Sequence, residues 1–66
     1  MEISVNGETR QTPDSFTAAQ LIAELGLQGK RIAMEVNQEI VPRSTYETHE
    51  LRPGDTVEIV QAIGGG

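Results

Sequence analysis

The sequence contains no cysteine. This absence excludes disulfide bonds, zinc–thiolate sites, thiol redox chemistry and a cysteine nucleophile. The sequence also has no apolar run near the length of about 20 residues that spans a bilayer. Its first residues lack the basic and apolar regions of a signal peptide. We therefore expect a cytoplasmic protein whose fold depends on side-chain packing alone.

Basic residues are few and mostly isolated. The chain has 5 Lys and Arg against 10 Asp and Glu, which gives a formal net charge of −5. Binding to nucleic acid requires a cluster of positive charge, and attraction to an anionic membrane surface requires the same. We therefore expect no nucleic acid and no membrane among the partners.

The length of 66 residues allows one small domain, with little room for the walls of a substrate pocket. His49 has no recognisable triad or metal-binding partner near it in the sequence and is interpreted as an exposed loop residue. Ser15 and Ser44 are better explained as turn or capping residues than as nucleophiles. Tyr46 is interpreted as a core or rim residue. We expect a protein that is not an enzyme and that binds no metal and no cofactor itself.

The first residues predict a β-hairpin. Ile3 and Val5 alternate with polar residues, which is typical of a half-buried strand. Asn6 and Gly7 form a strong signal for a two-residue turn, because both residue types tolerate positive φ. The return strand, residues 8–12, is polar, and we therefore expect it at an edge of the sheet.

A helix is predicted over residues 18–25. Thr17 at the N-cap and Gln20 three residues later fit a capping box, and Gly26 stands where a glycine commonly ends a helix. Two leucines four residues apart share one face. That face is expected to pack on the sheet through Leu21 and Leu25.

The next residues predict a second hairpin. Residues 32–36 and 39–41 read as strands, and residues 37–38 form the turn between them. Ser44 and Glu47 are then expected to cap one helical turn.

The last strand is predicted over residues 56–63. Val57 and Ile59 point to one face and Val60 and Ala62 to the other, so both faces are apolar. This pattern favours a central strand, or a strand with one face kept for a partner. Val60 and Ala62 are the candidate docking residues, and the alternative is that loops of the domain cover them.

The order strand, strand, helix, strand, short strand, strand predicts an α+β protein with one helix packed on one mixed sheet. The domain is expected to comprise residues 1–63. Residues 64–66 are expected to form a flexible glycine tail.

The tail consists of Gly64, Gly65 and Gly66. Glycine has no Cβ, so this segment is as thin as a peptide can be. The six residues from Gln61 to the C-terminus reach at most about 20 Å, which is enough to bring the terminal carboxylate into the active site of another protein. That carboxylate is an anion at neutral pH and inert to nucleophiles, but activation by ATP would allow a sulfur donor to convert it to a thiocarboxylate. A disordered stub or cloning remnant is the alternative.

Three segments are typical of one protein family. They are VNQEIVPR at residues 36–43, GDTVEIV at 54–60 and QAIGGG at 61–66. A terminal glycine pair alone is common to ubiquitin-like proteins, whereas the three segments together at this length are much more specific. Over nearly its whole length the chain resembles the ThiS family, the sulfur carriers of thiamine biosynthesis.

The resemblance implies the β-grasp, or ubiquitin-like, fold and a set of partners. An adenylating enzyme of the ThiF type uses ATP to activate the terminal glycine, and a sulfur donor such as a cysteine desulfurase supplies sulfur. The resulting thiocarboxylate passes the sulfur to a ThiG-like thiazole synthase. By this resemblance Gly66 carries the sulfur, Gly65 is the second glycine of the family's terminal pair, and Gly64 is compatible with insertion into an active site.

Other readings stay open at this point. The small subunit of molybdopterin synthase uses the same chemistry, but such chains are usually longer and often have a Pro-Pro step before the glycines. Sulfur carriers for cysteine or methionine synthesis, and protein modifiers, are further possibilities. A non-catalytic β-grasp interaction module belongs to a different class. The sequence identifies neither the sulfur donor, nor the docking face, nor the stoichiometry with partners.

Overall fold

The computed structural model describes residues 1–61, which form one mixed sheet and one α-helix. The elements are β1 (Glu2–Val5), β2 (Glu8–Gln11), α1 (Ala18–Glu24), β3 (Ile32–Val36), β4 (Glu39–Val41), a 3-10 turn (Arg43–Thr45) and β5 (Thr56–Gln61). The order of the 5-stranded sheet is β2-β1-β5-β3-β4. β1 and β5 are parallel and the other pairs are antiparallel. The α+β architecture and the edge position of β2 are therefore confirmed.

The end of the chain lies outside the described residues. The last strand is observed from Thr56 to Gln61, and the two final residues predicted for it, Ala62 and Ile63, are beyond this range. The boundary between a domain of residues 1–63 and a tail of residues 64–66 is also beyond it and stays a prediction.

Both hairpins turn through two residues with positive φ. Asn6 and Gly7 have φ of 50° and 85°, and Asn37 and Gln38 have φ of 53° and 69°. These values are those of type I′ turns, whose backbone twist matches that of the flanking strands. The two predicted turns are confirmed, although Gln38 occupies a position that favours glycine or asparagine.

The helix α1 begins as its sequence predicts and ends at Glu24, one residue before the predicted end. The Gln20 amide N–H donates to Oγ1 of Thr17 at 3.2 Å, and Oε1 of Gln20 accepts from the Thr17 amide at 2.8 Å. At the other end Gly26 has φ +73°, and the amides of Gly26 and Leu27 donate to the carbonyls of Ala23 and Ile22. This pattern is a Schellman motif, which satisfies carbonyls that the helix leaves free.

The core lies between α1 and one face of the sheet. The sheet supplies alternate residues of β1, β3 and β5, and the helix supplies Leu21, which is fully buried, while Leu25 is partly buried against the same cluster. The largest fully buried side chains are Ile3, Leu21, Met34 and Val57. None of the helices between residues 1 and 61 has the length and apolar character needed to cross a membrane.

The second predicted helical turn differs from the expectation. It is a 3-10 turn that begins two residues earlier, with Pro42 rather than Ser44 at the N-cap and no capping bond from a side chain. Oγ1 of Thr45 instead donates to the Pro42 carbonyl at 2.9 Å. The expected Ser44–Glu47 cap is therefore wrong, because the extended backbone of Pro42 already sets the entry into the turn.

Candidate functional site

The strand β5, which leads to the terminal glycines, is the central strand of the sheet. It pairs with β3 from Val36↔Val57 to Ile32↔Gln61, and with β1 only at Ser4↔Thr56 and Val5↔Val57. The prediction of a central strand is confirmed. The second half of β5 consequently has a strand neighbour on the β3 side and none on the β1 side.

Asn6 takes the place of a strand neighbour where β1 stops. Its amide N–H donates to the Val57 carbonyl at 2.9 Å. Its side-chain Oδ1 accepts from the Ile59 amide at 2.8 Å, and its Nδ2 donates to the Ile59 carbonyl at 3.2 Å. A single carboxamide therefore satisfies both backbone groups of Ile59, which would otherwise face the end of β1 unpaired.

Asn37 holds the beginning of β5 from the opposite side. Its amide donates to the Thr56 carbonyl at 2.8 Å, and its Oδ1 accepts from the Thr56 amide at 2.9 Å. Its Nδ2 donates to Oδ1 of Asp55 at 3.0 Å. Asn6 and Asn37 thus fix the course of β5 from both flanking turns, a role that is not evident from their turn-forming character alone.

The two faces of β5 differ in burial. Val57 and Ile59 lie in the core, with 0% and 7% of their surface exposed, whereas Val60 is 66% exposed. The alternative that loops of the domain cover the candidate docking residues is therefore wrong for Val60, the one of them that the structure describes. Ile40, in β4, is similarly exposed at 65%. Sequence reasoning missed Ile40, because two adjacent apolar residues in a three-residue strand do not reveal which of them faces the core.

Strand register defines the outer sheet face, the face opposite α1. Ala33 lies directly opposite Val60, and Glu35 lies opposite Glu58 on one side and Ile40 on the other. These five residues will be called the acidic sheet face. Their neighbours on the same face toward β1 are Thr56 and Ser4, which pair with each other.

The remaining candidate residues are separate from this face. The His49 carbonyl accepts from the Ala18 amide at 2.9 Å and so continues the N-terminal cap of α1, and the residue is half-buried rather than exposed. Ser15 has φ 58° and lies in a bend of the chain, and Tyr46 is buried in the core. Within residues 1–61 no group of three or more His, Asp or Glu is placed to hold a metal ion.

The other predicted site residues lie outside the described residues. They are Ala62, the second candidate docking residue, and Gly64, Gly65 and Gly66, the predicted sulfur-carrying tail. The described residues therefore define the strand that leads to the tail and the face beside it.

A helix packed across a mixed sheet with parallel first and last strands defines a ubiquitin-like β-grasp protein. The crystal structure of the thiamine biosynthesis protein ThiS from Geobacter metallireducens has the same fold, with a TM-score of 0.85, 28% identity and complete coverage of both chains. The ThiS family model matches residues 3–66. The chain belongs to the ThiS family.

Curated relatives agree with this assignment. The sulfur carrier protein ThiS of Escherichia coli is 32% identical over 66 residues, with complete coverage of both chains. A thiazole synthase of Paramagnetospirillum magneticum is 44% identical over the same length. The chain spans only 20% of the length of that thiazole synthase, and 20% of another from Magnetococcus marinus.

Proposed function

We propose that this chain is the sulfur carrier of thiazole formation in thiamine biosynthesis, and that Gly66 carries the sulfur. The observation that carries the proposal is the match of the chain, from residue 3 to the terminal glycine, to the ThiS family. The position of β5 supports it, because a central strand fixed by Asn6 and Asn37 gives the segment after Gln61 a rigid base.

The chemistry belongs to the C-terminal carboxylate and to partner enzymes. In the first step a carboxylate oxygen of Gly66 attacks the α-phosphorus of ATP on a ThiF-like adenylating enzyme, and pyrophosphate leaves. With hydrosulfide as the sulfur source, sulfur then attacks the acyl carbon, AMP leaves and a proton is released. The product is a thiocarboxylate in which one sulfur replaces one oxygen. The chain is in this scheme a co-substrate and not an enzyme, and ATP is used by its partner.

The sulfur then passes to a ThiG-like thiazole synthase. Support for this partner comes from the two thiazole synthases that contain a segment similar to this chain over its full length. A cysteine desulfurase or related enzyme is the proposed source of the sulfur in the cell.

We place the docking surface on the outer sheet face, around Val60 and Ala62. Val60 is 66% exposed, and it lies on the strand that runs into the glycines. A partner that covers this apolar side chain would receive the tail at the same time, so that docking and insertion of the tail occur together.

The test is the intact mass of the chain after incubation with the adenylating enzyme, ATP and sulfide. The wild-type chain is expected to gain the oxygen-to-sulfur mass difference. Removal of Gly66 shortens the reach by about 3.3–3.6 Å, far more than the roughly 1 Å displacement that can cost a hundredfold in rate.

Two variants test the length and the width of the tail separately in the same assay. The chain without Gly66 is expected to gain no sulfur. Gly65→Val keeps the length but widens the tail and restricts its φ, so the yield should fall severely. Both chains should melt as the wild type does. Full conversion of the shortened chain would reject the sulfur-carrier function, whereas full conversion of Gly65→Val would reject only entry through a narrow channel.

A further inference from the structure

The acidic sheet face places two carboxylates directly opposite each other. Glu35 in β3 and Glu58 in β5 are register partners, and side chains in this relation have Cβ atoms about 4.5–5.5 Å apart. Like charges at this separation repel, and sheets normally avoid them. The face therefore maintains an unfavourable pair that any neutral residue would relieve.

No ion pair in the described part of the chain neutralises the two carboxylates. The ion pairs within residues 1–61 join the N-terminal ammonium to Asp14 and Arg10 to Glu24, and neither involves Glu35 or Glu58. Arg31 and Arg43 lie beside Ala33 and Val60 at the border of the face. Neither arginine has a guanidinium nitrogen within ion-pairing distance of the two carboxylates, and the Arg43 guanidinium donates to the Lys30 carbonyl at 2.9 Å.

Apolar side chains lie on both sides of the carboxylates. Ile40 is next to Glu35 across β3 and β4, and Val60 follows Glu58 two residues along β5. Ile40 is 65% exposed and Val60 is 66% exposed. Two exposed aliphatic side chains around a negative centre form a surface that suits a positive group surrounded by apolar contacts.

A second copy of the chain does not fit this surface. A two-fold contact places the same patch of one copy against that of the other, so it would bring four carboxylates together. The net charge of −5 adds to the repulsion between copies. The charge of the face therefore favours a different protein as the binding partner, one with positive charge at the point of contact.

We propose that the acidic sheet face binds an arginine or lysine of the adenylating enzyme, placed between apolar side chains that contact Ile40 and Val60. The choice of this enzyme as the partner rests on the proposed function. The bound cation would remove the repulsion between Glu35 and Glu58, so that free energy stored in the free carrier contributes to complex formation. The pair therefore lowers the stability of the free domain and raises its affinity for the partner.

The experiment measures the affinity for the adenylating enzyme and the stability of the free domain for Glu58→Gln and Glu35→Gln. Calorimetric titration of each full-length chain into the adenylating enzyme gives the dissociation constant, which is expected to rise roughly tenfold in each variant. The dependence of the dissociation constant on salt should weaken. The melting temperature of the free chain should rise by about 2–5 °C, because the repulsion is relieved.

Glu47→Gln is the matched control. Glu47 is exposed and lies on the helix side of the domain, beside Ala19 and Ile22. Its substitution removes the same charge from the chain but none from the acidic sheet face. The control is expected to bind as the wild type does, which separates local pairing from a general effect of net charge.

Three results would overturn the proposal. They are wild-type affinity in both Glu35→Gln and Glu58→Gln, an equal loss of affinity in Glu47→Gln, and self-association of the wild-type chain through this face in sedimentation. The proposed function fails on a different result, the absence of sulfur gain by a wild-type chain that binds the enzyme. The two failures are therefore distinguishable.

Discussion

The side chain of Asn6 offers the sharpest test of how the central strand is held. Asn6→Gly is the informative change, because glycine accepts the φ of 50° at this position without strain while it removes both bonds to Ile59. A net contribution of about 0.5–1.5 kcal/mol for each hydrogen bond predicts a loss of about 1–3 kcal/mol. A domain of this size is expected to have a stability of only about 3–10 kcal/mol, so the loss is a large share of it.

The measurement is urea unfolding followed by circular dichroism. The midpoint should fall without a change in the slope, because the surface exposed on unfolding stays the same. Thermal unfolding should show a decrease of roughly 5–20 °C.

The control for Asn6→Gly is Gln11→Ala. This change removes the exposed bond from Gln11 to Oε1 of Glu2 at the sheet edge. It should alter stability by less than about 0.5 kcal/mol. Equal effects of the two substitutions would refute the view that the Asn6 carboxamide replaces a strand neighbour.

Three further stability predictions follow from the fold. Gln38→Gly should raise the stability by about 1–2 kcal/mol, because it relieves a left-handed residue with φ 69°; a decrease in the urea midpoint would contradict this. Leu21→Ala should lower it by about 2–5 kcal/mol, since the side chain is 0% exposed, and an unchanged midpoint would place Leu21 outside the core. Thr17→Ala should cost roughly 0.5–2 kcal/mol through loss of the capping box, and helix content by circular dichroism should fall with it; a neutral result would mean that Gln20 alone sets the helix start.

Features encoded within a few residues were predictable from the sequence. The capping box of Thr17 and Gln20, the turn at Asn6 and Gly7 and the alternation of Val57 and Ile59 each depend on neighbours in the chain. Physical rules for caps, turns and strands apply to such segments directly.

Features that depend on strand register were not predictable. The opposition of Glu35 and Glu58, the exposure of Ile40 and the bonds from Asn6 to Ile59 all require knowledge of which strands meet and at which residues. No local pattern specifies that pairing, since a shift of one residue would move every side chain to the other face. The charge of the candidate docking face therefore became evident only from the structure.

The parallel pairing of β1 with β5 has a consequence for the order of folding. Val5 meets Val57, so the first strand, already paired with β2, finds its second neighbour only near the end of the described residues, and closure of so long a loop slows folding. Synthesis proceeds from the N-terminus, and the central strand is the last of the five strands to emerge from the ribosome. A nascent chain without β5 leaves β1 and β3 with an open gap between them, so the core cannot close before residues 56–61 emerge. The domain is therefore expected to fold only after residues 56–61 have emerged, which a ribosome-arrested series of increasing length would reveal as a single onset of protease resistance at that length.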